Sequence, residues 1–132
     1  LEVFEVGMVY TCLKYLERCL LKPPLHFQFV LGTPNGMPAT VKSLLHLTEI
    51  IPDDSTWSVI GIGPGQLPMA MIAMTMGGHV RVGLEDNIFY SRGVLAKTNA
   101  ELVERIVRVS KEFGREVATP DEARKMLRLT PP

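Results

Sequence analysis

The sequence carries no surplus of charge of either sign: 14 Lys and Arg stand against 14 Asp and Glu, for a formal net charge of zero. A face built to hold nucleic-acid phosphates would need a cationic excess, so nucleic acid is not an expected partner. No apolar run approaches the ~20 residues that a membrane-spanning helix needs, and no signal peptide opens the chain. The default expectation is a cytoplasmic protein with no membrane association. Cysteines number only two. Cys12 and Cys19 fall on one expected helix, roughly 10 Å apart at ~1.5 Å rise per residue, which is beyond disulfide reach; they read as reduced, buried thiols. Three histidines are too few and too scattered for a metal centre built on histidine alone. An initiator methionine is also missing. The chain starts at Leu1, already in strand pattern, and is expected to be a piece of something larger.

What is present is one unit written four times, a short strand ending in glycine or an acid and then a helical stretch. The expected strands are LEVFEVG (Leu1 to Gly7), HFQFVLG (His26 to Gly32), TWSVIGIG (Thr56 to Gly63) and HVRVGLED (His79 to Asp86). Helical spacing of apolar residues marks MVYTCLKYLERCLL, TVKSLLHLTEII, LPMAMIAMTMG and TNAELVERIVRVSKEFG between and after them. Thr98 with Glu101, and Thr119 with Glu122 behind Pro120, read as capping boxes that start the last two helices. Strands alternating with helices imply right-handed crossovers and a parallel sheet, so the class is α/β.

Alternate strand residues face opposite sides of a sheet. One parity collects Phe4, Phe27, Phe29, Leu31, Ile60, Val80 and Val82, and is expected to face the helices. The other collects Val3, Glu5, Gln28, Val30, Val59, Gly61, Arg81, Gly83 and Glu85. This second face is mixed and charged, which suits the mouth of a barrel better than the inside of a doubly wound sheet. Four βα units make half of a (β/α)8 barrel.

The stretch GGHVRVGLEDN places Arg81 and Glu85 on that inner face, with Asp86 and Asn87 at the strand end, where such barrels keep their chemistry. Buried charges must be paired, ligated or functional. An ion pair that only ties neighbouring strands together would also account for them, and Glu5 is either a mouth residue or the partner of Arg81. The loops GTPNGMPAT and GIGPGQ bring Gly32, Asn35, Gly36, Gly61 and Gly63 to the same end. They could let a substrate or an anion approach the backbone, or simply serve tight turns. His26 and His79 open their strands at the far end, and His46 lies within a helix, so all three are expected to be structural.

Taken together, LEVFEVGM, LLKPPLHFQFVLG, ATVKSLLHL, TWSVIGIGPGQLPMA, GGHVRVGLEDN, SRGVLA and REVATPDEAR resemble the C-terminal half of the β-keto acid cleavage enzyme family. The resemblance implies that residues 1–132 are strands five to eight and the terminal helix of a (β/α)8 TIM barrel of roughly 250 residues, whose N-terminal half is absent from this chain. It implies a catalytic divalent metal, usually Zn2+, a β-keto acid substrate and acetyl-CoA as co-substrate, with acetoacetate and a new acyl-CoA as products. Glu85 would be the carboxylate metal ligand, and Arg81 with Asp86 the proton-transfer pair, suited to removing a methyl proton from the thioester. Gly32, Asn35, Gly36, Gly61, Gly63 and Asn87 would line the substrate site. The missing ligands would be two histidines of an N-terminal strand, so the fragment is expected to be inactive alone and to associate, with its other half and as a homo-oligomer. Asn35 and Glu5 depart from the family pattern and bear on the substrate side chain. A metal-dependent barrel aldolase or lyase that does without CoA, and a non-catalytic barrel half, are the alternatives.

Overall fold

Four strands, all parallel and in chain order, form the sheet of the computed structural model, which describes residues 1–129. The last three positions of the expected 1–132 unit lie outside the described residues. The strands are β1 (Glu2–Val3), β2 (His26–Leu31), β3 (Thr56–Gly61) and β4 (His79–Val80), linked by α1 (Val6–Glu17), α2 (Val41–Ile50) and α3 (Gln66–Thr75). A two-stranded antiparallel hairpin follows, β5 (Phe89–Ser91) and β6 (Val94–Leu95), and then α4 (Asn99–Glu112) and α5 (Pro120–Met126). Among the described residues β1 pairs only with β2 and β4 only with β3, so a parallel α/β sheet is present and a closed barrel is not.

Register decides which side chains share a face. Val3 lies opposite Phe29, Phe29 opposite Val59, and Val59 opposite Val80; this row packs with Phe27 and Leu31 against Val9 of α1, Leu44 and Leu47 of α2, and Met69 and Ala73 of α3. Each large side chain fully buried there contributes about 1.5–3 kcal/mol. The expected parity is therefore right for β2 and for Val80, and one residue out for β1 and β3. Val3 and Val59 face the helices, while Ile60 pairs with Val30 on the other face and is buried there. β3 is apolar on both parities, so alternation alone could not choose.

Two expected strands are much shorter than their apolar pattern. The first ends at Val3 because Glu5, in an extended conformation, caps α1 by accepting the Gly7 N–H at 2.8 Å. Glu5 is thus a helix cap, exposed just past the C-terminal end of β1, and it is Glu2 rather than Glu5 that pairs with Arg81. The fourth leaves the sheet after Val80, and residues 84–86 form a turn. Helix α1 also stops at Glu17, which leaves Cys19 outside it and exposed, while Cys12 is half-buried.

The opposite face of the sheet is polar at the strand starts. Glu2, Gln28, Ser58 and His79 stand in one row. Gln28 donates to Glu2 at 3.0 Å, and His26 contacts Thr56 at 2.8 Å and Ser58 at 3.3 Å. Helix α5 lies near this end, where Ala123, Met126 and Leu127 join His26 and His79 around a cavity of about 290 Å³. Arg115 anchors the segment that leads there, donating to the carbonyls of Met74 at 3.0 Å and Gly78 at 2.9 Å.

Candidate active site

Arg81 is the hub of the charged cluster. Its guanidinium donates to Glu85 at 2.6 Å and to Glu2 at 3.3 Å, and lies 3.7 Å from Asp86. Glu2 belongs to β1 and Arg81 follows β4. Three inter-strand spacings of ~4.8 Å separate the two backbones by roughly 14 Å on a flat sheet, so the two long side chains must reach toward each other across β2 and β3 on the face opposite the helices. The charges of GGHVRVGLEDN are gathered around Arg81 on the face opposite the helices, the face that strand alternation suggested for Arg81. Glu2, which sits where Glu5 was expected, is the acid that sequence reasoning missed. Its signal was an acid next to Val3, visible only once the parity of β1 is set correctly.

Glu85 and Asp86 are adjacent and differ sharply in surroundings. The Glu85 side chain is 79% exposed, that of Asp86 only 7%. Asp86 Oδ2 is buried without a hydrogen bond, since 3.7 Å from Arg81 allows charge attraction but no bond. Burial raises the Asp86 pKa; the Arg81 charge opposes this, and Glu85 and Glu2 add to it. A buried carboxylate oxygen with no proton donor on it is a free basic atom held beside a cation, suited to accepting a proton.

The backbone that positions Asp86 is gripped by the preceding βα turn. Gly63 N–H donates to the Asp86 carbonyl at 2.7 Å, and the buried Gln66 donates to the Gly83 carbonyl at 3.0 Å. Asn87 Nδ2 reaches Gln66 at 3.5 Å and the Phe89 carbonyl at 2.6 Å, while Asn87 Oδ1 accepts from Phe89 N–H at 3.1 Å. Asn87 therefore fastens the start of the hairpin, and its polar atoms are engaged within the chain. Gln66 was not picked out from sequence, because its partners lie 17 and 21 residues away.

Close packing requires glycine at two of these positions and left-handed backbone at two others. A Cβ on Gly61 would stand 2.2 Å from the Gly65 carbonyl oxygen, and one on Gly36 2.8 Å from the Phe4 carbonyl oxygen. Gly32 (φ +99) and Gly63 (φ +56) adopt left-handed backbone that L side chains rarely take. Asn35 is exposed in the turn that Gly36 N–H closes onto the Thr33 carbonyl at 3.2 Å. These positions lie at the C-terminal ends of β2 and β3, at the same end of the sheet as Arg81 and Asp86.

The described residues do not by themselves fit a divalent metal, because nowhere among them do three of His, Cys, Asp and Glu come together. His26 and His79, with ring centroids 6.4 Å apart, open their strands and line the same cavity as Arg81. Burial lowers both pKa values; His79 and the chain's amino group add to this at His26, and Arg115 adds to it at His79. None of the helices among the described residues is long and apolar enough to cross a membrane.

Residues 1–129 match the family described as beta-keto acid cleavage enzyme. The chain is 51% identical over 129 residues to a 3-keto-5-aminohexanoate cleavage enzyme of Fusobacterium nucleatum, covering 98% of this chain and 47% of that relative. A 3-keto-5-aminohexanoate cleavage enzyme of Acetoanaerobium sticklandii is 46% identical with the same coverage of both. A 3-oxoadipate:acetyl-CoA acetyltransferase of Cupriavidus necator is 37% identical, covering 98% of this chain and 46% of that relative. The chain thus spans about half the length of the curated relatives it matches.

Proposed function

We propose that this chain, which belongs to the beta-keto acid cleavage enzyme family, supplies the proton-transfer centre of an enzyme that exchanges acyl groups between a β-keto acid and acetyl-CoA. The observation that carries the reading is the buried, hydrogen-bond-free Oδ2 of Asp86, held 3.7 Å from Arg81 at the C-terminal end of the parallel strands. Printed names of two relatives, 3-oxoadipate:acetyl-CoA acetyltransferase and 3,5-dioxohexanoate:acetyl-CoA acetone transferase, support acetyl-CoA as co-substrate.

Atom balance says which proton Asp86 takes. Acetoacetate joins the acetyl group of the thioester to the CH2COO⁻ portion of the keto acid. The new carbon–carbon bond therefore forms between the thioester carbonyl and the methylene of the keto acid, so the proton leaves that methylene rather than the thioester methyl. Asp86 takes it, Arg81 offsets the charge that develops nearby, and the acetyl carbon–sulfur bond breaks to release CoA thiolate. The thiolate adds to the keto carbon, the bond from that carbon to the former methylene breaks to give the new acyl-CoA, and the carbanion left on acetoacetate takes the proton back from Asp86.

Glu85 belongs to the same proposal as one ligand of a divalent metal, Zn2+ by family resemblance, whose other ligands come from polypeptide outside these residues. No step above runs through it. In this reading residues 1–132 act as the C-terminal half of a (β/α)8 barrel, completed by the stretch that the longer relatives carry and assembled as a homo-oligomer. The length of the relatives supports that completion, since the chain covers 47% of the Fusobacterium relative.

The test combines this chain with the N-terminal part of the Fusobacterium relative and supplies a β-keto acid with acetyl-CoA labelled in its acetyl group. Label is expected in the terminal acetyl carbons of acetoacetate, with an unlabelled acyl-CoA as second product. Keto acid consumed without acetyl-CoA would establish a CoA-independent lyase instead.

A further inference from the structure

We propose that the cleft between the β5–β6 hairpin, α4 and the turn into α3 seats the pantetheine arm and phosphates of acetyl-CoA; this rests on the acyl-exchange reading above. The cleft encloses about 650 Å³, within the ~300–1,000 Å³ of small-molecule sites. Its walls are largely apolar, with Leu67 and Pro68 on one side and Phe89, Leu102 and Ile106 on the other. Its charged lining residues are Arg92 and Arg105, and no acid lines it. Apolar walls with two cations and no anion match a long neutral arm that ends in phosphates.

The two arginines are differently placed. Arg105 lies 4.5 Å over the ring of Tyr90 and also donates to the Tyr90 carbonyl, which holds its guanidinium plane in one orientation. Arg92 is exposed at the hairpin turn, beside Gly93 with φ +78, and makes no ion pair among the described residues. A guanidinium without an acid partner is available to grip phosphate oxygens in pairs. At its other end the cleft is lined by Asn87 and Gly63, and Gly63 N–H holds the Asp86 carbonyl at 2.7 Å. Asp86 does not itself line the cleft, but Asn87, the next residue, does, so a ligand whose thioester reached Asp86 would extend its arm past Asn87 and place its phosphates toward the arginines.

Calorimetric titration of CoA, and of pantetheine as a phosphate-free probe, tests this on the completed protein. Arg92→Glu is expected to weaken CoA by about tenfold or more while leaving pantetheine unchanged, and Arg92→Lys to restore most of the loss. CoA binding that is tight and unaffected by Arg92→Glu would place the phosphates elsewhere, overturning this site while the acyl-exchange reading stands. Equal weakening of both probes would show a general loss of structure at the hairpin and overturn the phosphate assignment. No CoA binding by the unaltered protein would overturn both readings.

Discussion

Arg81, just past β4, and Glu2, on β1, meet at 3.3 Å above the two strands that separate them. The pair is partly exposed, with 36% and 48% of the two side chains open to solvent, so its worth is set by solvent screening. Glu2→Gln is expected to lower stability by less than about 1 kcal/mol, and the difference should vanish in molar salt. Denaturant melts at low and high salt check this. A large, salt-insensitive loss would mean that the contact is part of the core.

Asp86→Asn keeps the size of the side chain and removes the basic atom. Turnover of the completed enzyme is expected to fall by roughly 10²–10⁴-fold, the usual contribution of a positioned general base. The fold should survive, because Gly63 and Gly83 hold Asp86 through its backbone groups. Steady-state rates alongside unfolding curves decide it, and a loss under tenfold would place the base elsewhere.

Two glycines of GIGPG should respond differently to alanine. At Gly61 the added carbon meets the Gly65 carbonyl at 2.2 Å, so the whole turn must shift and a loss of roughly 1–3 kcal/mol or more is expected. At Gly63 nothing lies within 4 Å, and only the left-handed backbone is penalised, by about 1–2 kcal/mol. A loss at Gly61 smaller than that at Gly63 would contradict the packing described for the turn.

The strand pattern was readable where one face is apolar and the other is not. HFQFVLG sets Phe27, Phe29 and Leu31 against Gln28, and β2 has the expected faces, with its end one residue earlier. TWSVIGIG offers Val59 on one parity and Ile60 on the other, and both are buried, because the face opposite the helices is apolar in its middle. HVRVGLED alternates for eight residues, yet pairing stops at Val80. Asp86 and Asn87 both donate backbone N–H groups to the Gly83 carbonyl, which closes a turn that alternation does not reveal. The cluster of Arg81, Glu85 and Asp86 was legible because charges in an apolar strand need partners. Glu2 and Gln66 were not, since their roles arise only from tertiary neighbours. The hairpin β5–β6 falls between the last expected strand and the helix that follows it, where no strand is expected, although Gly93 between the apolar pairs Phe89–Tyr90 and Val94–Leu95 carries a turn signal.

The two strand-opening histidines should make stability depend on pH. His26 and His79 both have pKa values lowered from 6.5, chiefly by burial, so the unfolded chain binds more protons than the folded one below that value. Stability is therefore full above pH 6.5 and is lost as pH falls from there through the folded-state pKa values. Around His26 stand Thr56, Ser58, His79 and the chain's amino group; Arg115 is the charged neighbour of His79. His79→Gln should flatten the slope, which unfolding free energies measured between pH 7.5 and about 5 would show. An unchanged slope would reject the assignment.

The grip of the third βα turn on the fourth has a consequence for the order in which the chain acquires its shape. Residues 83–87 take their geometry from Gly63 and Gln66, through bonds of 2.7 and 3.0 Å, rather than from a strand ladder of their own. The carboxylate proposed as the base is thus held in place by an earlier segment, and its geometry is expected to depend on that segment being formed. We expect the amides of Asp86 and Asn87 to exchange with solvent at least as fast as those of the Gly61–Gln66 turn, and Gln66→Leu to speed the former without speeding the latter. Slower exchange at Asp86 than at Gln66 would show that the later turn stands by itself.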